Sequence, residues 1–134
     1  MLKSKCIYDK PCDDDGLRIS IMSRHTLDDG ITPDENIHLG LYHLHRSDLA
    51  PPPSIVGGYL KGRFNYDTYR HLYLTFLKEL KFGQVVCIVK QSLLETITIL
   101  CKEQKPDYCH RKIFVEFAQD VAKQEGVDLV IDIK

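Results

Sequence analysis

The amino-acid sequence predicts a three-layer α/β fold in which helices flank a mostly parallel central sheet. Three consecutive patterns predict it: an apolar, β-branched run over residues 96–100, an amphipathic helical pattern over 109–124, and a second apolar run over 127–133 that follows Gly126. Strand, helix and strand in succession are typical of a βαβ unit. A chain of 134 residues fits one domain, so we expect a single α/β domain over residues 1–134.

The first part of the chain contains short strand patterns separated by turns. We predict a strand over residues 5–9, a turn over 11–16, and a second strand over 17–22, where apolar and polar residues alternate. Residues 25–36 are typical of a loop, with a short helical turn beginning after Pro33.

The middle of the chain predicts two helices after an irregular region. Residues 38–49 are interpreted as a strand leading into a loop, and residues 50–62 as irregular, because three prolines remove backbone donors. Aromatic and leucine residues recur at three- and four-residue spacing over 65–80, which predicts a helix capped by Asn65. Residues 82–95 also predict a helix, although their VVCIV core is compatible with a strand.

Composition excludes several classes of protein. The net charge of −1 lacks the basic excess that duplex nucleic acid usually requires. No apolar run approaches the ~18 residues that span a bilayer, and the first ten residues lack the apolar core of a secretion signal. We therefore expect a cytoplasmic protein without membrane or nucleic-acid partners, whose five cysteines are reduced thiols.

The stretch ILCKEQKPDYCHRKIF, residues 99–114, combines the residues with the most chemistry. Cys101 ends a predicted strand, and Cys109, His110 and Arg111 open the following helix. Ligands of open α/β sheets bind at strand ends, and a helix N-terminus offers unpaired N–H groups and partial positive charge. Arg111 would add a fork of donors suited to phosphate or carboxylate, so we expect an anionic small molecule as the ligand.

The same stretch allows thiol chemistry. Cys109 at a helix N-terminus beside His110 is in a setting that lowers a thiol pKa, so a thiolate with a histidine base is conceivable. Glu103 would act as an acid, a base, or a tether for Arg111. The ordinary interpretations carry comparable weight: Cys101 as a buried apolar residue, Cys109 as a helix cap, and Arg111 paired with a structural acid.

A metal site is not predicted. Cys101, Cys109 and His110 are three candidate ligands, but adjacent cysteine and histidine side chains rarely converge on one ion, and no second close-spaced pair is present. His43 and His45 would share one face of a strand without a thiol or carboxylate nearby. We expect neither a metal nor another cofactor.

Two blocks of the sequence resemble one family. The segment IYDKPCDDDGLRISIMSR, residues 7–24, and the segment ITILCKEQKPDYCHRKIFVEFAQ, residues 97–119, are similar to the two signatures of the proteins grouped as domain of unknown function 488. The resemblance implies a cytoplasmic single-domain α/β protein without an established activity. The family's marked positions correspond here to Arg18, Arg24, Cys101, Glu103, Cys109, His110 and Arg111.

One departure from the family pattern affects the second strand. The family often continues with Asp-Arg-Leu-Trp-Pro-Arg-Gly, whereas this chain has Ser23-Arg24-His25-Thr26. Arg24 would still face the same crevice as Arg111. Three hypotheses remain open: an anion-binding site with Arg18, Arg24, Cys101 and Arg111 as ligand-binding residues and Cys109, His110 and Glu103 as catalytic residues; a non-catalytic interaction module with a structural Cys-His-Arg network; and a redox-responsive pair of Cys101 and Cys109. Whether the protein is an enzyme is left open at this point.

Overall fold

The computed structural model describes all residues 1–134. Its centre is one sheet of five strands: β1 (Leu2–Cys6), β2 (Leu17–Ser20), β3 (Leu44–His45), β4 (Ile97–Cys101) and β5 (Ile131–Ile133). The strands lie in the order β3-β2-β4-β1-β5, and every neighbouring pair is parallel. The predicted three-layer α/β class with a mostly parallel sheet is confirmed.

Four helices accompany the sheet: α1 (Pro53–Leu60), α2 (Tyr66–Leu80), α3 (Phe82–Leu94) and α4 (His110–Gln124). The predicted helices over 65–80, 82–95 and 109–124 are confirmed. Asn65 caps α2 as expected, because its side-chain oxygen accepts the backbone N–H of Thr68 at 2.9 Å. No helix combines the length and apolar character needed to span a bilayer.

The predicted position of the first strand in the sequence was wrong. The strand over residues 5–9 is instead β1, at Leu2–Cys6, which lies between β4 and β5. Lys3 and Lys5 hid it from the apolar pattern, although both are buried. Each lysine is paired with an acid, Lys3 with Asp14 at 3.1 Å and Lys5 with Asp15 at 2.5 Å, and this pairing makes burial tolerable.

Three other segments differ from their predictions. Only Leu44–His45 of the segment 38–49 is a strand, and only Ile131–Ile133 of the segment 127–133. The segment 50–62 is not irregular, since it contains α1. Pro53 stands at the first helical position, where its missing N–H has no helical partner to lose.

The two faces of the sheet are covered differently. The face toward α4 is apolar: α4 contacts β1, β4 and β5, and its Ile113, Phe114 and Val121 are buried in the main core. A fully buried side chain of this kind contributes about 1.5–3 kcal/mol. The opposite face is covered in part by the 3₁₀ turn Asp13–Asp15, which pairs with the lysines of β1. Charged residues therefore concentrate on one side of the sheet.

Candidate functional site

A cavity of about 170 Å³ lies at the carboxyl ends of the adjacent strands β2 and β4. Residues 22–24 after β2, residues 101–103 after β4, residues 108–110 at the start of α4, and side chains of α1 and α2 line it. We call this cavity the cleft. Parallel strands end at the same edge of the sheet, which brings these loops together, and ligands of open α/β proteins bind at such edges.

Cys101, Cys109 and His110 lie together in the cleft lining, as the sequence predicts for the first and last residues of the loop. The two sulfurs and one ring nitrogen of His110 lie within 4.8 Å of one another. Cys101 Sγ is 3.5 Å from His110 Nδ1 and 3.4 Å from Nε2. These nearly equal distances put the sulfur over the ring, because an in-plane sulfur equidistant from both nitrogens would collide with the carbon between them. The sulfur is therefore not aligned with a nitrogen lone pair.

The tautomer of His110 follows from a backbone contact. Its Nε2 lies 2.9 Å from the carbonyl oxygen of Ile21, and a carbonyl oxygen only accepts. The proton is accordingly assigned to Nε2, which donates to Ile21, while Nδ1 keeps a free lone pair. The ring is also packed edge-on against Tyr73, with ring centroids 5.9 Å apart. His110 is thus held in one orientation by two elements.

The surroundings of Cys109 differ from those that the sequence suggested for a thiolate. The neighbouring Cys101 thiol and burial raise the pKa of Cys109 far above its ordinary value, whereas the sequence predicted a lowered pKa. His110 and the backbone of Arg111 act in the opposite direction, but more weakly. Burial beside a second sulfur outweighs the positive end of α4.

Arg111 lies behind the cleft lining and is fully buried. Its guanidinium donates to the backbone carbonyls of Glu103 and Gln104 and, at 3.0 Å, to the backbone oxygen of Lys134. It also lies 3.6 Å from Cys109 Sγ. It forms no ion pair with an Asp or Glu side chain, so the predicted tether to the Glu103 carboxylate is replaced by a bond to the Glu103 carbonyl.

The charged residues of the cleft are Arg24, Lys102 and Glu103. Arg24 is exposed and makes one hydrogen bond, from Nη1 to the carbonyl of Gly30 at 3.1 Å, which leaves most of its donors free. Lys102 is paired with the exposed Asp28 at 2.7 Å. Arg24 is therefore the cation of the cleft best placed to receive an anion.

Arg18 lies outside the cleft. It is buried on β2, where its guanidinium donates to Asp15 at 2.6 Å and to the carbonyls of Leu41 and Asp9 at 2.7 and 3.1 Å. None of these partners lines the cleft. We therefore leave Arg18 out of the candidate ligand-binding set.

The aromatic wall of the cleft was not predicted. Tyr59 of α1 and Tyr69 of α2 stack with their ring centroids 4.6 Å apart, and Tyr108 and Val56 also line the cleft. The segment 50–62 was interpreted as irregular, so its contribution was missed. The spacing of Val56, Tyr59 and the neighbouring Leu60 by three and four residues was the signal that could have revealed α1.

His43 and His45 have packing roles. His43 Nδ1 accepts the backbone N–H of Arg18 at 2.9 Å, and His45 Nε2 bonds the carbonyl of Met22 at 2.7 Å. His45 also stacks on His25, with ring centroids 3.9 Å apart. These contacts fix the loop that follows β2 and hence the position of Arg24.

Comparison with known proteins identifies one family. The family model described as Domain of unknown function DUF488 matches residues 7–118, which is most of the chain. No curated protein and no solved structure gave a significant match.

Proposed function

The chain belongs to the family described as Domain of unknown function DUF488, and we propose that its cleft binds a small organic molecule through an anionic group. The observation that carries the proposal is the joining, in one cavity of about 170 Å³, of the free donors of Arg24 with an aromatic wall. Phosphate and carboxylate are the anions that a guanidinium fork fits.

Positive charge behind the lining supports an anionic ligand. Arg111 is fully buried, always protonated, and paired with backbone oxygens rather than with an Asp or Glu side chain. A unit charge about 8 Å away would stabilise an anion by roughly 2 kcal/mol at an effective dielectric constant of about 20. The N-terminus of α4 adds about half a positive charge at the same place.

The size and walls of the cleft define the rest of the ligand. A cavity of about 150 Å³ is enough for benzene, whereas drug-sized ligands usually occupy roughly 300–1,000 Å³. The cleft therefore suits one ring or a short branched chain. Tyr59, Tyr69 and Val56 would cover the apolar body, and Arg24 would hold the acid group.

Glu103 narrows the choice between the two anions. Its carboxylate stands in the same lining as Arg24 and Lys102 and would repel a multiply charged phosphate more than a singly charged carboxylate. A monocarboxylic acid with an aromatic or branched body is accordingly the ligand that this cleft favours. Benzoate is the simplest probe of that class.

The proposal includes no nucleophilic Cys109. The raised pKa of this buried thiol keeps it protonated at neutral pH, and a thiol is a poor nucleophile. His110 and Glu103 would then contact the ligand without a thiolate beside them. Binding, rather than a particular reaction, is the function that this geometry supports.

Thermal unfolding with added benzoate tests the proposal. We expect the melting temperature to rise by several degrees at saturating benzoate and to stay unchanged with benzyl alcohol, which has the same ring without charge. Arg24→Gln should abolish most of the rise. Arg70→Gln, which changes an exposed arginine of α2 outside the cleft, is the matched control and should keep it.

A non-catalytic interaction module is the second candidate function. The bonds from Arg111 to the backbone oxygens of Glu103, Gln104 and Lys134 favour it, since they tie the loop and the last strand to α4. In that case benzoate and benzyl alcohol would both leave the melting temperature unchanged. Equal responses of Arg24→Gln and Arg70→Gln would also argue against the cleft as a binding site.

A further inference from the structure

We propose that Cys101, Cys109 and His110 form a binding site for one thiophilic divalent metal ion of the zinc class. The site goes beyond the proposed function, since benzoate would bind to the metal-free cleft. Two sulfurs and one imidazole are a donor set that favours zinc over magnesium or calcium, which prefer oxygen.

The distances among the three donors fit one ion. Bonds of about 2.3 Å to sulfur and about 2.0–2.1 Å to nitrogen place neighbouring ligand atoms of a tetrahedral zinc roughly 3.5–3.8 Å apart. Cys101 Sγ lies 3.5 Å from His110 Nδ1, and the two sulfurs and one ring nitrogen of His110 lie within 4.8 Å of one another. Binding requires the Cys101 side chain to turn away from the face of the ring, so that its sulfur and the Nδ1 lone pair meet the same ion while the ring keeps its bond to Ile21.

The backbone explains why adjacent residues converge here. Cys109 is the N-cap of α4, with an extended backbone of φ −101° and ψ 143°, while His110 is the first helical residue. The change of backbone conformation between them lets both side chains reach toward Cys101, which two consecutive residues inside a helix would not do. The argument from sequence against a metal assumed that adjacent side chains diverge, and it did not consider a change of backbone conformation between Cys109 and His110.

The surroundings are those of a metal-binding histidine. Ligating histidines usually donate their second ring N–H to a carbonyl or carboxylate, and His110 Nε2 has the carbonyl of Ile21 at 2.9 Å. That bond leaves Nδ1 as the ligand atom. Arg111 Nη1, 3.6 Å from Cys109 Sγ, would stabilise the coordinated thiolate.

Charge balances when the ion binds. The metal enters as a dication and displaces one proton from each of the two thiols to solvent, so that two metal–sulfur bonds form and the site is neutral. Three protein ligands leave a fourth position open.

The fourth position would face the cleft, because all three ligands line it. Three protein ligands with an open position are typical of a catalytic rather than a structural zinc. Water would fill this position in the absence of a ligand. That an acid's oxygen replaces this water is the one part of the inference that rests on the proposed function.

One other group of residues could compete for a metal. Cys12, Asp14 and Asp15 also lie within 4.8 Å of one another. Asp15 is already bonded by Lys5 and Arg18, and Asp14 by Lys3, so their oxygens are occupied by cations. We expect no tight binding there, and Cys12 therefore supplies a matched control.

Cobalt binding tests the site. Co²⁺ is titrated into the metal-free full chain in the presence of a phosphine reductant, which keeps the thiols reduced. We expect one equivalent to bind with a sulfur-to-cobalt charge-transfer band in the near ultraviolet and the visible bands of tetrahedral Co²⁺. Cys101→Ser and Cys109→Ser should each weaken binding by roughly 100-fold or more, since even second-shell changes cost about 10–100-fold. Cys12→Ser and Cys87→Ser should bind like the parent.

X-ray absorption of the zinc-loaded parent protein tests the same ligands without depending on the folding of any variant. Two sulfurs at about 2.3 Å and one nitrogen at about 2.0–2.1 Å would support the site. A zinc shell of oxygen and nitrogen only, the absence of a charge-transfer band, or a band lost in Cys12→Ser but kept in Cys101→Ser would overturn it.

The two proposals fail separately. Benzoate stabilisation of the metal-free protein without any cobalt–sulfur band would leave the proposed function standing and end the metal site. A cobalt–sulfur band in a protein whose melting temperature ignores benzoate would do the reverse. A change of the visible cobalt bands on adding benzoate would support the acid in the fourth position, and unchanged bands would refute it.

Discussion

The molecule buries two arginines and treats their charges differently. Arg18 is 2% exposed and Arg111 is 0% exposed. Arg18 donates to the carboxylate of Asp15 at 2.6 Å, and the same carboxylate receives Lys5 at 2.5 Å. Arg111 is surrounded by backbone oxygens and the sulfur of Cys109. Arg18 thus shares one carboxylate with Lys5, whereas Arg111 has no Asp or Glu side chain beside it.

The difference separates structure from function. A carboxylate beside a buried arginine weakens the field outside the network, so Arg18 is explained by holding the turn before β2 against the sheet. Arg111 has no Asp or Glu side chain beside it, and it lies directly behind Cys109 in the cleft lining. This is the physical reason to look for an anion, or for thiolates on a metal, at one site and not at the other.

The largest expected effect on stability comes from removing Asp15, which pairs with both Lys5 and Arg18. Asp15→Ala leaves Lys5 and Arg18 buried without their shared partner, so we expect it to lower the free energy of unfolding by about 3–5 kcal/mol. Urea unfolding at neutral pH measures it. The double variant Asp15→Ala/Arg18→Met should lose less free energy of unfolding than Asp15→Ala alone. A loss under 1 kcal/mol in the single variant would show that Asp15 does not stabilise the two buried cations.

Replacing Arg111 should lower stability less than Asp15→Ala does, and it should weaken the binding of benzoate. Arg111→Met leaves three backbone oxygens without this donor but also removes a buried charge that has no Asp or Glu side chain beside it, so we expect a loss of about 2–3 kcal/mol. Calorimetry should find benzoate affinity reduced at least about tenfold, which corresponds to 1.4 kcal/mol of lost attraction. Unchanged affinity in a folded Arg111→Met protein would remove the field of Arg111 from the account.

A neutral donor calibrates the comparison. Tyr73 is fully buried, and its hydroxyl donates to the carbonyl of Leu49 at 2.6 Å. Tyr73→Phe removes one donor-to-carbonyl bond without changing charge, so we expect unfolding measurements to give a loss of about 1 kcal/mol. Arg111→Met should cost two to three times this amount; an equal cost would mean that only one of the Arg111 bonds stabilises the fold.

The pH dependence of stability tests the protonation of His25. Burial, and secondly His45, lower the pKa of His25 to about 4 from its ordinary 6.5. The unfolded chain therefore binds a proton that the folded chain does not between these values, and stability should fall as pH decreases from 6.5 toward 4. His25→Gln should flatten this slope in melting curves, while its stability at pH 7.5 should change little. A slope that persists unchanged would assign the titration to other groups.

The helices could be predicted because their apolar residues repeat with a helical period that packing then satisfied, as in α2 and α4. β1 could not be located correctly, since Lys3 and Lys5 resemble surface residues until their partners Asp14 and Asp15 are known. The site was foreseen as a place, because strand ends meet helix starts at one sheet edge. Its electrostatics were not, since the thiol of Cys109 responds to Cys101, eight residues away, more strongly than to its own helix.

A crystal structure with bound 4-bromobenzoate measures the central claim most directly, because bromine locates the ring by its anomalous scattering. The account predicts one dominant bromine peak among Tyr59, Tyr69 and Val56, with the carboxylate turned toward Arg24, and its loss in Arg24→Gln. Bromine peaks only at lattice contacts, or a ring in the cleft with its carboxylate turned away from both arginines, would contradict it.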